Sequence, residues 1–226
     1  MLETTVTTTD SPSIRTFYPR RGRVSALHED SSARLWPVFG VTLETATAAF
    51  GRVAPLVVEI GSGMGDATAA MAAADPDRDY LAVEVHFRGV ANLLRLVEER
   101  GLTNVRVFDG DALDLVRTLP EASLDAVHVY FPDPWPKARH HKRRLIQPAN
   151  TALLRSRLVP GGTLHCATDW AEYAEGMLET LTADPGLVNA FDGYAPRPAH
   201  RPLTNFEKRG LKQGRQIFDL IYQRTS

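Results

Sequence analysis

From Pro55 onward, short apolar runs alternate with longer amphipathic stretches. Leu56-Val-Val-Glu-Ile60, Tyr80-Leu-Ala-Val-Glu-Val85, Val105-Arg-Val-Phe108, Leu124–Phe131 and Thr163-Leu-His-Cys-Ala167 read as strands. Between them, Asp66–Ala74 is alanine-rich and helical, and Arg88–Arg100 is an amphipathic helix closed by Gly101. Further helices are expected near Ala112–Thr118, Pro148–Leu158 and Trp170–Thr182. Ile217-Phe-Asp-Leu-Ile-Tyr222 alternates with period two and reads as a last strand. Regular strand–helix alternation predicts an α/β fold: a Rossmann-like, doubly wound, mostly parallel sheet, expected to hold seven strands, with helices on both faces. A helix is also expected from Leu43 to Phe50, ended by Gly51. No repeat or low-complexity tract intervenes, so residues 33–226 are expected to form one domain. Residues 1–32, rich in Thr, Ser and charge without periodicity, predict a flexible amino-terminal arm.

Charge sharpens this picture. The formal net charge of −1 over 226 residues conceals segregation. Residues 51–136 carry seven Arg/Lys against fourteen Asp/Glu, residues 137–170 seven against one, and residues 197–226 seven against two. An acidic half beside two basic blocks predicts a polyanion docking on one face; scattered solvated charge is the bland alternative. No apolar run approaches the roughly 20 residues a bilayer-spanning helix needs, and the amino terminus lacks the pattern of a secretory signal. The single cysteine, Cys166, sits in an apolar run and is expected in the core. These features fit a cytoplasmic protein, monomer or homodimer, with no membrane association.

One stretch interrupts the alternation sharply. After the apolar run Ala126-Val-His-Val-Tyr-Phe131 comes Pro132-Asp-Pro-Trp-Pro-Lys137 and then Arg139-His-His-Lys-Arg-Arg144. Three prolines in five residues forbid continuation of the strand or an immediate helix. The carboxyl edge of this strand is thereby held open, where ligands bind in open α/β sheets.

Glu59-Ile-Gly-Ser-Gly-Met-Gly65 follows the first strand of the alternation and opens a helix. A dinucleotide fingerprint counted from Gly61 would need glycine at Asp66, and counted from Gly63 at Thr68. The pattern is instead an acid followed by three glycines, Gly61, Gly63 and Gly65. That suits S-adenosylmethionine, whose methionine end carries an ammonium and a sulfonium rather than a pyrophosphate. Glu84, ending the next strand, is placed for the ribose hydroxyls, and Asp111, past the third, for the adenine amino group. Surface acids at strand ends are the competing account. Over roughly residues 55–167 the chain resembles the class I S-adenosylmethionine-dependent methyltransferases.

The run Phe131-Pro-Asp-Pro-Trp-Pro-Lys137 with Arg139–Arg144 resembles the bacterial tRNA (guanine-N7)-methyltransferase family. Ala167-Thr-Asp-Trp170, Thr204-Asn-Phe-Glu207 and Arg20-Arg-Gly-Arg23 match its other motifs in order, so the resemblance covers nearly the whole chain. It implies methyl transfer to N7 of a variable-loop guanine of tRNA, guanine 46. It also implies cofactor contacts at Glu59, Glu84, Asp111 and Asp133, with Asp133 the catalytic residue. Substrate contacts are implied at Lys137, Asp169, Thr204, Asn205, Phe206 and Glu207, and RNA contacts at Arg139, His140, His141, Lys142, Arg143 and Arg144. Family members often carry Asn where His141 stands.

The chemistry agrees. Guanine N7 has an in-plane lone pair, so no general base is needed, and placement and field carry the catalysis. Neither a Ser/His/Asp arrangement nor a metal-ligand constellation is read from the sequence. His140 and His141 are adjacent, which is poor metal geometry; His86, His128 and His165 are expected to be structural. Trp135 either supports the turn or stacks on a base. Thr204 and Glu207 also have capping-box spacing, and their segment, after Pro196, Pro198 and Pro202, is expected to fold over the site. Two other functions remain open at this level: an amino-directed methyltransferase acting on adenine or cytosine, and a non-catalytic RNA-binding module.

Overall fold

The computed structural model describes residues 14–18 and 24–226. The arginines of Arg20-Arg-Gly-Arg23 lie outside the described residues. Eight strands form one sheet: β1 (Gly40–Val41), β2 (Leu56–Ile60), β3 (Asp79–Glu84), β4 (Val105–Asp109), β5 (Leu124–Tyr130), β6 (Leu158–Thr168), β7 (Leu187–Asn189) and β8 (Phe218–Arg224). Their order is β1-β4-β3-β2-β5-β6-β8-β7. β8 runs antiparallel to β6 and β7, and the other pairings are parallel. The sequence locates six of the seven strands expected; the short β1 and β7, at opposite edges of the sheet, bring the number to eight.

The helices are α1 (Ala26–Phe39), α2 (Asp66–Ala74), α3 (Phe87–Glu99), α4 (Ala112–Thr118), α5 (Pro148–Arg157), α6 (Ala171–Ala183) and α7 (Asn205–Lys212). Neighbouring strand residues go to opposite faces. Val57 joins the core beneath α2 and α3, with Tyr80, Ala82, Val90, Leu94 and Ala126. Val58 joins the opposite core, with Leu81, Val127, Leu154, Leu164 and Met177. Both faces are covered, which is why β2, β3 and β5 read as near-continuous apolar runs. Truncating a fully buried leucine such as Leu81 to alanine removes about 2–5 kcal/mol.

Two expectations are corrected. The arm boundary at 32/33 falls inside α1, which begins at Ala26 and packs on α3. There Arg34 pairs with Glu98, one of its two contacts being Nη2 to Oε2 at 2.9 Å. The helix expected over Leu43–Phe50 is only a 3₁₀ turn at Ala46–Ala48. Its threonines are the reason: the main-chain N–H of Thr42 donates to Thr45 Oγ1 at 2.9 Å, giving the backbone a local partner other than a helical one.

The strand order reverses between β2 and β5: β3 and β4 lie on one side of β2, and β5 and β6 on the other. The loops leaving the carboxyl ends of β2 and β5 therefore diverge and leave a crevice, the place where such sheets bind ligands. Among the described residues no helix is long and apolar enough to cross a membrane.

Candidate active site

Besides Leu145 and the residues at the ends of β3 and β4, the crevice is walled by three groups of residues that the sequence separates widely. One is the glycine loop after β2, with Gly61, Gly63 and Gly65 all at positive φ (77°, 58° and 79°). The second is the end of β5 with its turn, Tyr130 through Asp133. The third combines Thr204, Asn205 and Phe206 at the start of α7 with Thr16 and Phe17 from the amino-terminal segment. Gly65 has a second constraint besides its φ. A Cβ there would stand 2.6 Å from Leu93 Cβ, so glycine lets α2 pack against α3 directly below the loop.

Glu59 is almost fully buried, and the Thr68 hydroxyl donates to its Oε2 at 2.5 Å. Burial pushes its carboxyl up to about 7, against the Thr68 hydrogen bond and with help from nearby Glu84. Glu84 accepts three main-chain N–H groups: Gly63 at 2.7 Å on Oε2, and Val85 at 2.8 Å and His86 at 2.9 Å on Oε1. Its carboxylate thus ties the glycine loop to the end of β3 while lining the crevice. Asp111 caps α4, accepting the Leu113 N–H at 2.9 Å, and burial raises its pKa. Its neighbours Gly110 and Ala112 line the crevice, and Asp111 itself does not.

No Lys or Arg lines the crevice among the described residues, whereas Glu59, Glu84, Asp66 and Asp133 do. Acids around a glycine cradle suit a ligand bearing ammonium and hydroxyl groups and do not suit a phosphate. The residues present therefore fit the cofactor expected from the sequence.

Asp133 sits in a turn bracketed by two non-glycine residues at positive φ, Phe131 (54°) and Trp135 (46°). Each such conformation costs on the order of 1–3 kcal/mol and persists only where surroundings fix it. Here they do. The Phe131 N–H donates to Ala167 O at 2.7 Å, and the Arg144 guanidinium donates to Pro134 O at 3.0 Å. Trp135 is 5% exposed, and its indole N–H donates to Thr16 O at 3.1 Å. Arg143 lies over the ring, 5.0 Å from its centroid. Of the two roles open to Trp135, support of the turn is the one its burial favours.

The remaining expected contacts divide. Thr204, Asn205 and Phe206 face the crevice; Lys137 and Asp169 do not line it. Asp169 accepts Arg215 Nη1 at 2.8 Å, and Lys137 is exposed at the start of a 3₁₀ helix, Ala138–Arg143. Glu207 is corrected. It is 1% exposed and held by Arg201 (2.5 and 3.2 Å) and Arg197 (2.9 Å), so it anchors α7 rather than presenting an acceptor to a substrate. Thr204 Oγ1 accepts the Glu207 N–H at 3.1 Å, the helix-cap half of the expected box.

Arg144 is also corrected: it is buried, lies over Tyr173 at 4.8 Å and pairs with Glu172 at 3.3 Å, so its charge is committed internally. His141 shares that pairing, its Nε2 lying 3.4 Å from Glu172. Arg139 and Lys142 are exposed, and Arg143 and His140 half-exposed. Desolvation, and then Arg139, Arg143, Lys137 and Lys142, lower the pKa of His140.

Thr16 and Phe17 as crevice walls, and Arg201, fully buried between Glu207 and Asp219, are not legible in the sequence. A long-range main-chain contact and a buried arginine leave no local pattern.

Comparison with known proteins places the chain in a family. Residues 53–220 match the family model described as "Putative methyltransferase". The tRNA (guanine-N(7)-)-methyltransferase of Aromatoleum aromaticum is 54% identical over 95% of this chain and 85% of its own length. That of Streptomyces avermitilis is 55% identical over 94% and 76%. The chain belongs to the tRNA (guanine-N(7)-)-methyltransferase family. Solved structures share the methyltransferase fold at low identity. The 16S rRNA methyltransferase KamB aligns with a TM-score of 0.59 at 17% identity, over 80% of this chain and 94% of its own. A 16S rRNA (adenine-N1)-methyltransferase from Catenulisporales acidiphilia, solved with the cosubstrate SAM, aligns at 0.53 and 14%, over 82% and 92%. This chain therefore has a methyltransferase fold, with its crevice at the β2/β5 reversal.

Proposed function

We propose that this chain transfers the methyl group of S-adenosylmethionine to N7 of a guanine in the variable loop of tRNA, guanine 46, in the cytoplasm. One observation carries the reading: Asp133, on a turn fixed at both ends, shares the crevice with the acidic glycine cradle. The exposed cations Lys137, Arg139 and Lys142 follow immediately in the chain. The names and 54–55% identity of the relatives support the same substrate.

When bound, S-adenosylmethionine supplies an electrophilic methyl on a sulfonium. Glu59 and the glycine loop hold the amino-acid end, and Glu84, oriented by three main-chain donors, accepts from the ribose. Phe206 and Phe17 keep water from the crevice. N7 brings its own lone pair, so no residue has to remove a proton before transfer. Asp133 aligns the base, and its carboxylate opposes the positive charge that develops on the guanine ring. Alignment and a fixed field of this kind account for most of what an enzyme adds to such a transfer. Lys137, Arg139, Lys142 and half-exposed Arg143 meet the RNA phosphates.

The test is chemical mapping. Unmodified tRNA incubated with the protein and S-adenosylmethionine is treated with borohydride and aniline, which cleaves at N7-methylguanosine. Cleavage at one variable-loop position is expected. Methyl incorporation without cleavage would place the methyl on an atom other than N7 and overturn the reading.

A further inference from the structure

One cluster outside the crevice chemistry has no part in methyl transfer. His128 on β5 stands directly beside His165 on β6 in the parallel register, and His200 comes from the loop that precedes α7. Their ring centroids form a nearly equilateral triangle, with sides of 5.9, 5.8 and 6.2 Å. One nitrogen from each ring lies within 4.8 Å of the other two. Among the described residues no other group of three or more potential ligands gathers in this way.

Packing alone accounts poorly for the trio. His128 is 6% exposed, and its Nδ1 has no hydrogen-bond partner. A buried polar atom left in that state costs roughly 1–3 kcal/mol, which a neutral apolar residue at this position would avoid. His165 is buried between two partners: Nε2 lies 2.8 Å from Asp219 Oδ1, and Nδ1 lies 3.0 Å from the Tyr130 hydroxyl. Asp219 also accepts from Arg201 at 2.8 and 2.9 Å, so the proton of the His165–Asp219 contact sits on Nε2 and the Nδ1 lone pair is turned toward Tyr130. A histidine whose far N–H is held by a carboxylate is the usual outer support of a metal-ligating imidazole. The adjacent Arg201 charge is already matched by Glu207 and Asp219.

We propose that His128, His165 and His200 form a binding site for a divalent transition-metal ion of the zinc class. Three imidazole nitrogens suit such an ion, whereas Mg²⁺ and Ca²⁺ prefer oxygen. Four-coordinate Zn²⁺ with nitrogens at about 2.0–2.1 Å needs them roughly 3.4 Å apart. The widest separation here is up to 4.8 Å, and His200, exposed on its loop, is the ligand able to move inward. The Tyr130 hydroxyl gives up its contact with Nδ1, and the fourth position opens to solvent on the His200 side. Bound there, the ion would staple the loop leading into α7 to the sheet, and so steady the wall formed by Thr204, Asn205 and Phe206. It takes no part in methyl transfer.

The test uses the full-length protein without a histidine tag, stripped with EDTA and titrated with Zn²⁺ against a chromophoric chelator. One equivalent is expected to bind in competition with the chelator, and Tm is expected to rise with Zn²⁺. His200→Ala removes an exposed ligand without disturbing the core. It should weaken binding by more than about a hundredfold, beyond the tenfold to hundredfold typical of losing only an outer partner. His128→Gln should do the same. A His140→Ala/His141→Ala double variant controls for surface binding and should retain the site. The proposal is overturned if the wild type binds no stoichiometric Zn²⁺, if His200→Ala binds as the wild type does, or if only the 140/141 variant loses the ion.

Discussion

The main-chain N–H of Tyr18 donates to Asp133 Oδ2 at 2.9 Å, joining positions 115 residues apart. The amino-terminal segment is thereby fastened to the turn that carries the proposed chemistry. The indole N–H of Trp135 fastens it again at Thr16 O, two residues beyond Asp133 on the same turn. Phe17, between the two fastenings, is left as a wall of the crevice.

Trp135→Phe keeps the ring beneath the turn and removes only the donor to Thr16 O. One hydrogen bond of this kind contributes about 1 kcal/mol, or about fivefold in an opening equilibrium. The Tyr18 amide should therefore exchange about fivefold faster, with little change in Tm. Unchanged exchange would mean that the indole contact does not hold the segment.

Glu59 predicts a pH dependence. Burial lifts its carboxyl to about 7, above the ordinary value of 4.5. In the protein without cofactor, the protonated form is thus favoured by folding. That contribution is complete below the unfolded value and is lost as pH rises through about 7. A cofactor with an ammonium at this carboxyl favours the ionised form, so its binding releases a proton. Affinity for S-adenosylmethionine should rise by up to tenfold per unit between about pH 5.5 and 7 and then level. Calorimetry in buffers of different ionisation enthalpy measures both the slope and the proton. Glu59→Gln should abolish the proton release.

Much of this architecture is legible in the sequence, for physical reasons that can be located. β2, β3 and β5 are buried on both faces, so their apolar runs are unmistakable, and Gly61, Gly63 and Gly65 mark a loop that other residues would strain. The site was legible where the backbone is unusual. It was illegible where a side chain's partner lies far away in sequence. Glu207 and Arg144 look like surface ligands within their motifs. They are buried because Arg201 and Tyr173, supplied from other parts of the chain, take up their groups. His128, His165 and His200 show no metal-like spacing at all, and only the β5–β6 register and the loop before α7 bring them together.

The two kinds of cation in the basic run should separate experimentally. Lys142 is exposed, whereas Arg144 is buried and paired with Glu172. Lys142→Ala should lower the slope of log affinity for tRNA against log salt by about 0.7–0.9, as expected for one lost phosphate contact. Arg144→Ala should instead lower Tm and leave the salt slope nearly unchanged. Filter binding over a salt series, with a parallel melting curve, distinguishes the two.

Arg201 carries the buried charge network, with Glu207 on one side and Asp219 on the other. Arg201→Met leaves Asp219 without its guanidinium partner and Glu207 with Arg197 alone. Breaking a buried pair in this way costs about 3–5 kcal/mol, which should appear as a large loss in urea-unfolding midpoint. Glu207→Gln should also destabilise. If Glu207 met the substrate instead, that variant would lose kcat/KM at unchanged stability.

In the proposed mechanism the reacting atom is guanine N7, placed by Asp133 and needing no base. The most direct measurement uses a tRNA transcript in which guanine 46 is replaced by 7-deazaguanine, where a C–H stands in place of N7 and the Watson–Crick edge is kept. The substituted tRNA should bind within about twofold of the unsubstituted one, since the phosphates that dominate affinity are intact, and should accept no methyl group. Methyl transfer to the 7-deazaguanine transcript at the normal rate would contradict the account.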